Sequence, residues 1–201
     1  MVKKNFTAED YFAVRDHMVG TGMIGGKACG MLLARAIIRN NEPDINEVLE
    51  PHDSFYVGSD LYYTYIVDNN LWDTRIRQRT DEGYFELAEE FASKLMGGTF
   101  SDAMREQFVR IIEYYGQDPY IIRSSSILED GFGNAFAGKY ESVFCVNRGS
   151  LEERIEEFEN AIKVVYASTM SLSALDYRKR RGLDKRDEQM ALLIQRVSGS
   201  Y

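Results

Sequence analysis

The sequence is poor in cysteine and in proline, and it contains no long run of apolar residues. Its two cysteines, Cys29 and Cys145, lie in apolar contexts far apart, without the C-x-x-C spacing of a zinc or redox site. We therefore expect two buried, reduced thiols and a cytoplasmic protein, because disulfides are rare in the cytosol. A membrane-spanning helix needs about 18 or more consecutive apolar residues. No such run is present, so no transmembrane helix is predicted.

Positive charge is also scarce. Lys and Arg total 24 against 32 for Asp and Glu, which gives a net charge of -8. This balance disfavours binding to nucleic acid or to an anionic membrane, since both need clustered positive charge. It leaves room for a small anion in a locally basic pocket. Lys3 and Lys4 are not followed by an apolar stretch, so we do not expect a signal peptide.

The hydrophobic pattern predicts an α+β protein in which strands and helices are mixed. With 201 residues, 44% of them hydrophobic, the chain can form one large domain or two small ones. Four short apolar segments are typical of strands, at 53–58, 120–123, 140–146 and 191–197. Four segments with helical spacing predict helices, at 27–39, 84–95, 102–115 and 151–165. We interpret the paired glutamates of the last helix as a solvated face and not as metal ligands.

A glycine-rich segment, 20–25, matches the pattern G-x-G-x-x-G, and Asp44 follows at a distance that suits a dinucleotide site. A dinucleotide-binding oxidoreductase is therefore one hypothesis. It requires a buried strand immediately before the glycines. The preceding residues, 12–19, include charged and polar side chains where apolar ones are needed, so the signal is weak. A helical or exposed 12–19 segment would exclude this hypothesis.

Lys27 follows a glycine pair at the predicted start of a helix. A cation is unfavourable there, because the helix N-terminus carries partial positive charge. We therefore expect the Lys27 side chain to point at a negative group. Backbone N–H groups together with an ammonium can face phosphate oxygens, although the pattern is not that of a Walker phosphate loop. The alternative is a glycine turn with a solvated lysine.

Arg123 ends an apolar strand, where a cation is costly to bury unless an anion meets it. Three serines, an acidic pair (Glu129 and Asp130) and a glycine-rich stretch as far as Gly138 follow it. Such a segment suits a lid over a polyphosphate that the arginine contacts through its planar fork. The alternative is an ordinary loop in which Arg123 pairs with Glu129 or Asp130.

Four segments together resemble the N-terminal nucleotide-binding domain of the phosphoenolpyruvate synthase and pyruvate phosphate dikinase family. They are Gly25-Gly26-Lys27-Ala, Ile-Arg123-Ser-Ser-Ser with Glu129-Asp130, Ala-Phe-Ala-Gly138-Lys-Tyr-Glu-Ser142, and Leu-Ile-Gln195-Arg-Val197. The order matches along nearly the whole chain, except that 44–115 match less clearly. The resemblance implies one domain, 1–201, that forms the first part of an ATP-grasp-like fold: a mixed sheet with flanking helices, and a helical region at about 59–116.

The resemblance also implies a role for each matching residue. Lys27 and Arg123 would be the catalytic contacts to the phosphates of ATP. Gly138 would belong to a loop that closes over ATP, and Ser142 stands where the family often has threonine. Gln195 and Val197 would lie in the segment that lines the adenine. Lys139 departs from the family pattern, which usually has glutamine there.

The implied function is that of an ATP-dependent phosphotransferase. A phosphoryl group from ATP would pass to a histidine of a separate domain and then to pyruvate or a related acceptor. We expect the Mg²⁺ ligands and the acceptor-binding domain to lie beyond these 201 residues, so that the fragment alone is inactive. The alternative is a non-catalytic regulatory or assembly domain derived from the same family.

Overall fold

The structure is a computed structural model that describes residues 2–47, 53–129 and 138–197. Within these ranges the chain forms ten α-helices and five strands. The helices are α1 (Val2–Asn5), α2 (Ala8–Asp16), α3 (Gly25–Asn41), α4 (Ser59–Asp68), α5 (Trp72–Gln78), α6 (Gly83–Glu86), α7 (Ala88–Gly97), α8 (Asp102–Tyr115), α9 (Leu151–Ser168) and α10 (Leu172–Arg180). The strands are β1 (Met18–Val19), β2 (Ser54–Val57), β3 (Tyr120–Ser124), β4 (Ser142–Cys145) and β5 (Leu192–Arg196).

The five strands form one mixed sheet in the order β1-β2-β5-β3-β4. β1 and β2 are parallel, and the other neighbouring strands are antiparallel. The α+β class, with a mixed sheet flanked by helices, is therefore confirmed, and it is consistent with the first part of an ATP-grasp-like domain. All four predicted strands are present. β1 was not predicted, because a strand of two residues leaves no alternation in the sequence.

One face of the sheet is covered by helices, and we call it the closed face. Alternate residues of the central strands point into it, because successive side chains of a strand face opposite sides. Tyr120 and Ile122 of β3 join the main hydrophobic core there. The rings of Tyr120 and Phe158 of α9 have centroids 5.7 Å apart, and Phe158 is fully buried. Burying such a side chain is worth about 1.5–3 kcal/mol.

The helices α4 to α8 lie between β2 and β3 in the chain, and α7 and α8 both pack on α9. The prediction of a single helix at 84–95 is wrong in one respect. It is divided into α6 and α7 by a turn at Leu87. The buried side chains before and after this turn keep to one face, so the apolar spacing does not reveal the interruption.

α9 begins immediately after Ser150, and the pattern Ser150-x-x-Glu153 is a known signal for the start of a helix. The Ser150 hydroxyl accepts a hydrogen bond from the N–H of Glu153, and the Glu153 carboxylate accepts one from the N–H of Ser150. This reciprocal capping box satisfies two of the amide groups that every helix N-terminus leaves without an internal partner. Glu153, predicted only as part of a solvated face, therefore has a capping role as well.

The other face of the sheet is covered only in part, by α3, and we call it the open face. Ala28 and Leu32 of α3 form a second apolar cluster with Tyr56 and Leu193. Beyond this cluster the open face carries half-buried polar side chains and the exposed Phe144. Among the described residues, none of the helices is long and apolar enough to cross a bilayer.

The expectation of two buried thiols is wrong for Cys29. Cys145 of β4 is buried, whereas Cys29 of α3 is exposed, and both are free thiols. Ala28, the preceding residue, points into the apolar cluster under α3. Successive residues of a helix are turned by about 100°, so Cys29 lies to the side of the buried face of α3 and is exposed. The apolar residues around Cys29 in the sequence did not show whether it lies on the buried or on the exposed side of α3.

Candidate functional site

A cavity of about 530 Å³ lies on the open face, at the edge of α3. We call it the cleft. Its lining comes from the first two turns of α3 and from the middle strands β3 and β5. The lining residues are Gly26, Lys27, Gly30, Met31, Arg123, Leu193 and Gln195. The volume lies within the range of small-molecule sites, roughly 300–1,000 Å³.

The start of α3 is held against the end of β3 by a close backbone approach. Gly25 has φ +78°, and a Cβ there would lie 1.3 Å from the Ser125 carbonyl oxygen. Only glycine tolerates both conditions. The Gly26 N–H then donates to the Ser126 carbonyl oxygen at 3.2 Å. This contact places Lys27, the next residue, beside the end of β3.

Ser125 supplies the cap that α3 itself lacks. The residue before the helix, Ile24, has no side chain that can cap it. The Ser125 hydroxyl accepts a hydrogen bond from the Ala28 N–H at 3.1 Å and donates to the Ile24 carbonyl oxygen at 2.8 Å. A residue immediately after β3 thus satisfies a helix-terminal amide, which ties the helix to the end of the strand under the cleft.

The Lys27 ammonium points at a negative group, as predicted for a cation in the first turn of a helix. Its Nζ lies 2.7 Å from Oε1 of Glu129 and 2.8 Å from the hydroxyl of Ser124. The Lys27 side chain is 24% exposed and that of Glu129 only 1%. The alternative of a solvated lysine is therefore wrong. Hydrogen bonds between ions of this kind are roughly twice as strong as neutral ones.

Arg123 faces the cleft from β3 and donates from Nη1 to Oε1 of Gln195 at 3.2 Å. The Gln195 amide nitrogen lies 3.3 Å from the sulfur of Met31, so both ends of this amide have a partner. The alternative that Arg123 pairs with Glu129 is not found, because Lys27 and two serines already surround that carboxylate. Asp130, the other partner in that alternative, lies outside the described residues.

The remaining predicted site residues, Ser142, Gly138 and Val197, are not part of the lining of the cleft. Ser142 of β4 is exposed and lies opposite Arg123 in the register of β3 and β4. Gly138 is exposed and has φ +68°, while the rest of the predicted glycine-rich lid, 130–137, lies outside the described residues. Val197 lies at the other end of β5, where its N–H donates to the Pro119 carbonyl oxygen at 2.9 Å.

Behind the cleft lies a second buried carboxylate, Glu188. It accepts hydrogen bonds from the hydroxyls of Ser126 and Tyr140, and its Oε2 lies 3.3 Å from Nη1 of Arg178. Burial raises the pKa of Glu188, and the Arg178 charge opposes this shift. Ser126 also donates its N–H to Glu129 at 2.8 Å. One serine therefore joins the two buried carboxylates.

The sequence analysis noted Glu129 and the three serines after Arg123, but it did not predict that Glu129 and Ser124 hold the Lys27 ammonium. The signal that could have identified them is the same one that singled out Lys27. A cation at a helix N-terminus needs a carboxylate, and Glu129 is the acidic residue that closely follows the serine triplet. Sequence alone did not show that α3 approaches the end of β3, so it could not pair the two.

The glycine pattern at 20–25 serves a different purpose from the one that its motif suggests. The N–H groups of Thr21 and Gly22 donate to the two carboxylate oxygens of Asp60, at 2.9 and 2.8 Å. The amides that would hold a pyrophosphate are thus occupied by the protein's own carboxylate. The dinucleotide hypothesis also fails on its strand requirement, because α2 occupies 8–16 and only Met18–Val19 is a strand.

Within the described ranges, no three His, Cys, Asp or Glu side chains are close enough together to hold a metal ion. Glu129 is the carboxylate nearest to the Lys27 ammonium, and its two oxygens already accept from three donors. We therefore assign no metal ligand among these residues.

Comparison with known proteins adds two findings. Residues 21–201 match the family described as pyruvate phosphate dikinase, AMP/ATP-binding domain. The chain is also similar to a Bacillus subtilis (strain 168) protein described as "Uncharacterized phosphotransferase YvkC", with 26% identity over 147 residues. That alignment covers 71% of this chain and 15% of the relative. The chain thus spans a small part of the length of this relative.

Proposed function

This chain belongs to the pyruvate phosphate dikinase AMP/ATP-binding domain family, and from that premise we propose that its cleft binds the phosphates of ATP. The observation that carries the proposal is the convergence of Lys27 and Arg123 on one cavity. An ammonium is a compact point charge, whereas a guanidinium offers a planar fork to two oxygens. Together they suit the several oxygens of a polyphosphate.

The charge of the cleft supports an anionic ligand. Two cations face it, and among the described side chains near them Glu129 is the carboxylate that offsets one charge. The chain as a whole carries a net charge of -8, so this local excess of positive charge stands out. A partly enclosed site lowers the effective dielectric constant and strengthens the attraction for phosphate.

The register of the sheet suggests how the nucleotide lies. Arg123 is opposite Leu193 on β5, Gln195 lies further along this strand, and Val197 comes immediately after its last residue. At about 3.3 Å per residue, Val197 is roughly 13 Å from Leu193. We place the phosphates at the Lys27 end and the adenine toward Val197, whose backbone carbonyl can accept a hydrogen bond from the base.

In the complete protein we propose that a phosphoryl group passes from ATP to a histidine of a separate domain, and from there to pyruvate or a related acceptor. Lys27 and Arg123 would neutralise the charge of the phosphates during this transfer. His17 does not line the cleft and packs against Phe55, so we do not assign it as the acceptor. The relative described as a phosphotransferase agrees with this reaction class.

Mg²⁺ would accompany the phosphates, as it does in phosphoryl transfer generally, with ligands from outside the described residues. Residues 1–201 alone would not complete the transfer. The free thiols Cys29 and Cys145 and the use of ATP suit a cytoplasmic location.

Calorimetric titration of the full-length protein with ATP tests the site. We expect Lys27→Ala and Arg123→Ala each to weaken ATP binding roughly tenfold to a hundredfold, since a hydrogen bond to a charged group is worth about 1.5–3 kcal/mol. Arg105→Ala is the matched control, because Arg105 forms ion pairs on α8 and α9 and does not line the cleft. Unchanged affinity in both cleft variants, with folding intact by circular dichroism, would remove their assigned roles.

Labelling with radioactive ATP separates the enzyme from the regulatory alternative. We expect a phosphoenzyme that is labile in acid and stable in base, as a phosphohistidine is. Nucleotide binding without any such product would favour the non-catalytic domain.

A further inference from the structure

We propose that Glu129 is a positioning residue that holds the Lys27 ammonium at the wall of the cleft, where one of its N–H donors faces the phosphates. This inference rests on the proposed function of the cleft. Glu129 touches no ligand in this arrangement, because it is buried behind Lys27 and only 1% of its side chain is exposed.

The contacts around Lys27 form a closed triangle. Its Nζ donates to Oε1 of Glu129 at 2.7 Å and to the Ser124 hydroxyl at 2.8 Å, and that hydroxyl donates to the same Oε1 at 2.9 Å. An ammonium has three N–H donors. Two of them are engaged here, and the third is left for an acceptor in the cleft, which Lys27 lines.

Glu129 is itself held in place from the other side. Its Oε2 accepts a hydrogen bond from the Ser126 N–H at 2.8 Å. All three neighbours of the carboxylate are therefore donors, and both of its oxygens are used. A glutamine at this position would turn an NH₂ group toward one of those donors, because an amide has only one acceptor oxygen. The arrangement consequently requires a carboxylate.

A negative charge beside a phosphate site has a cost as well as a benefit. By charge alone, Glu129 repels the phosphates and its removal would strengthen ATP binding. By position, Glu129 keeps the long, flexible Lys27 side chain in one conformation. Without Glu129, Lys27 would lose rotamer entropy when ATP binds. Glu129 is close to an ammonium that offsets its charge, so we expect the positional effect to be the larger.

A double-mutant cycle on ATP affinity in the full-length protein tests this proposal. We expect Glu129→Gln to weaken ATP binding about tenfold in the wild-type background, equivalent to about 1.4 kcal/mol. In the Lys27→Ala background the same change should no longer weaken ATP binding, because the group that it positions is gone and the Glu129 charge, now without its partner, only repels the phosphates. Glu152→Gln is the control, since Glu152 is exposed and pairs with Arg105 away from the cleft.

The outcomes separate this inference from the proposed function. Equal or tighter ATP binding by Glu129→Gln, or the same loss in both backgrounds, would overturn the positioning role while leaving the cleft as an ATP site. Unchanged affinity in Lys27→Ala would instead contradict the proposed function. If Glu129→Gln does not fold, Ser124→Ala takes its place in the cycle. It leaves the carboxylate intact, and we expect a loss of about threefold that disappears with Lys27→Ala; a loss that persists there contradicts the proposal.

Discussion

The two faces of the sheet differ in what their side chains do, although the same strands supply both. On β3, Ile122 points into the closed face and is fully buried, whereas Arg123 points into the cleft on the open face. The closed face packs apolar side chains against α9. The open face holds polar ones through directed hydrogen bonds, such as that from Arg123 to Gln195. One strand can thus contribute to stability and to binding at alternate positions.

The two faces also differ in the interactions that stabilise them. Apolar burial on the closed face depends on area and volume, so truncating a side chain there leaves a cavity. The open face depends on which donor meets which acceptor, so a change of one atom matters there even when the volume is conserved. Mutations on the closed face should therefore change mainly the free energy of unfolding. Mutations on the open face should change mainly the ligand affinity.

The largest expected effect comes from truncating the same residue type on each face. Phe158→Ala on the closed face should lower the free energy of unfolding by about 3–5 kcal/mol, since Phe158 is fully buried. Phe144→Ala on the open face should change it by less than about 0.5 kcal/mol, because Phe144 is 69% exposed. Urea unfolding followed by circular dichroism measures both. Similar losses in the two variants would remove the distinction between the faces.

A smaller effect is expected at the glycine loop beside the open face. Asp60→Ala removes the carboxylate that accepts hydrogen bonds from the N–H groups of Thr21 and Gly22. We expect a loss of about 1.5–3 kcal/mol in the free energy of unfolding, the range for hydrogen bonds to a charged group. Asp68→Ala, an exposed change at the other end of α4, serves as the control. If both variants unfold at the same urea concentration, the carboxylate does not hold the loop.

The smallest effect is a dependence of stability on alkaline pH. Burial raises the pKa of the Cys145 thiol from 9.0 to about 12 and that of the Tyr65 phenol from 10.0 to about 12. The folded protein therefore keeps protons that the unfolded chain releases above pH 9 to 10. Stability should be fully present below pH 9 and fall by about 1.4 kcal/mol between pH 9 and 10, where the thiol is the one of these two groups that ionises in the unfolded chain.

Urea midpoints at several pH values between 8 and 10.5 measure this dependence. Cys145→Ala should flatten the first part of the decline, between pH 9 and 10, where the thiol is the first of these groups to ionise in the unfolded chain. Cys29→Ala should leave the profile unchanged, because Cys29 is exposed. An identical profile for both variants would contradict the assignment to the buried thiol.

Local patterns predicted the elements that depend on neighbouring residues. The spacing in 151–165 predicted α9, and the apolar burst at 120–123 predicted β3. Patterns failed where the outcome depends on distant parts of the chain. Cys29 was expected to be buried, and the turn at Leu87 was not foreseen. The roles of Gly138, Ser142, Gln195 and Val197 stay predictions, since they concern a ligand.

By itself, the sequence determined the class of fold, the presence of a cation at the start of α3 and the ordered resemblance to a nucleotide-binding family. These follow from periodicity, charge and motif order, which are local properties of the chain. Only the tertiary structure decided that Lys27 pairs with Glu129, that Arg123 turns to Gln195 and that both cations line one cleft. The reason is physical: ion pairs and cavities depend on distances between segments far apart in sequence, and packing of the whole sheet and its helices sets those distances.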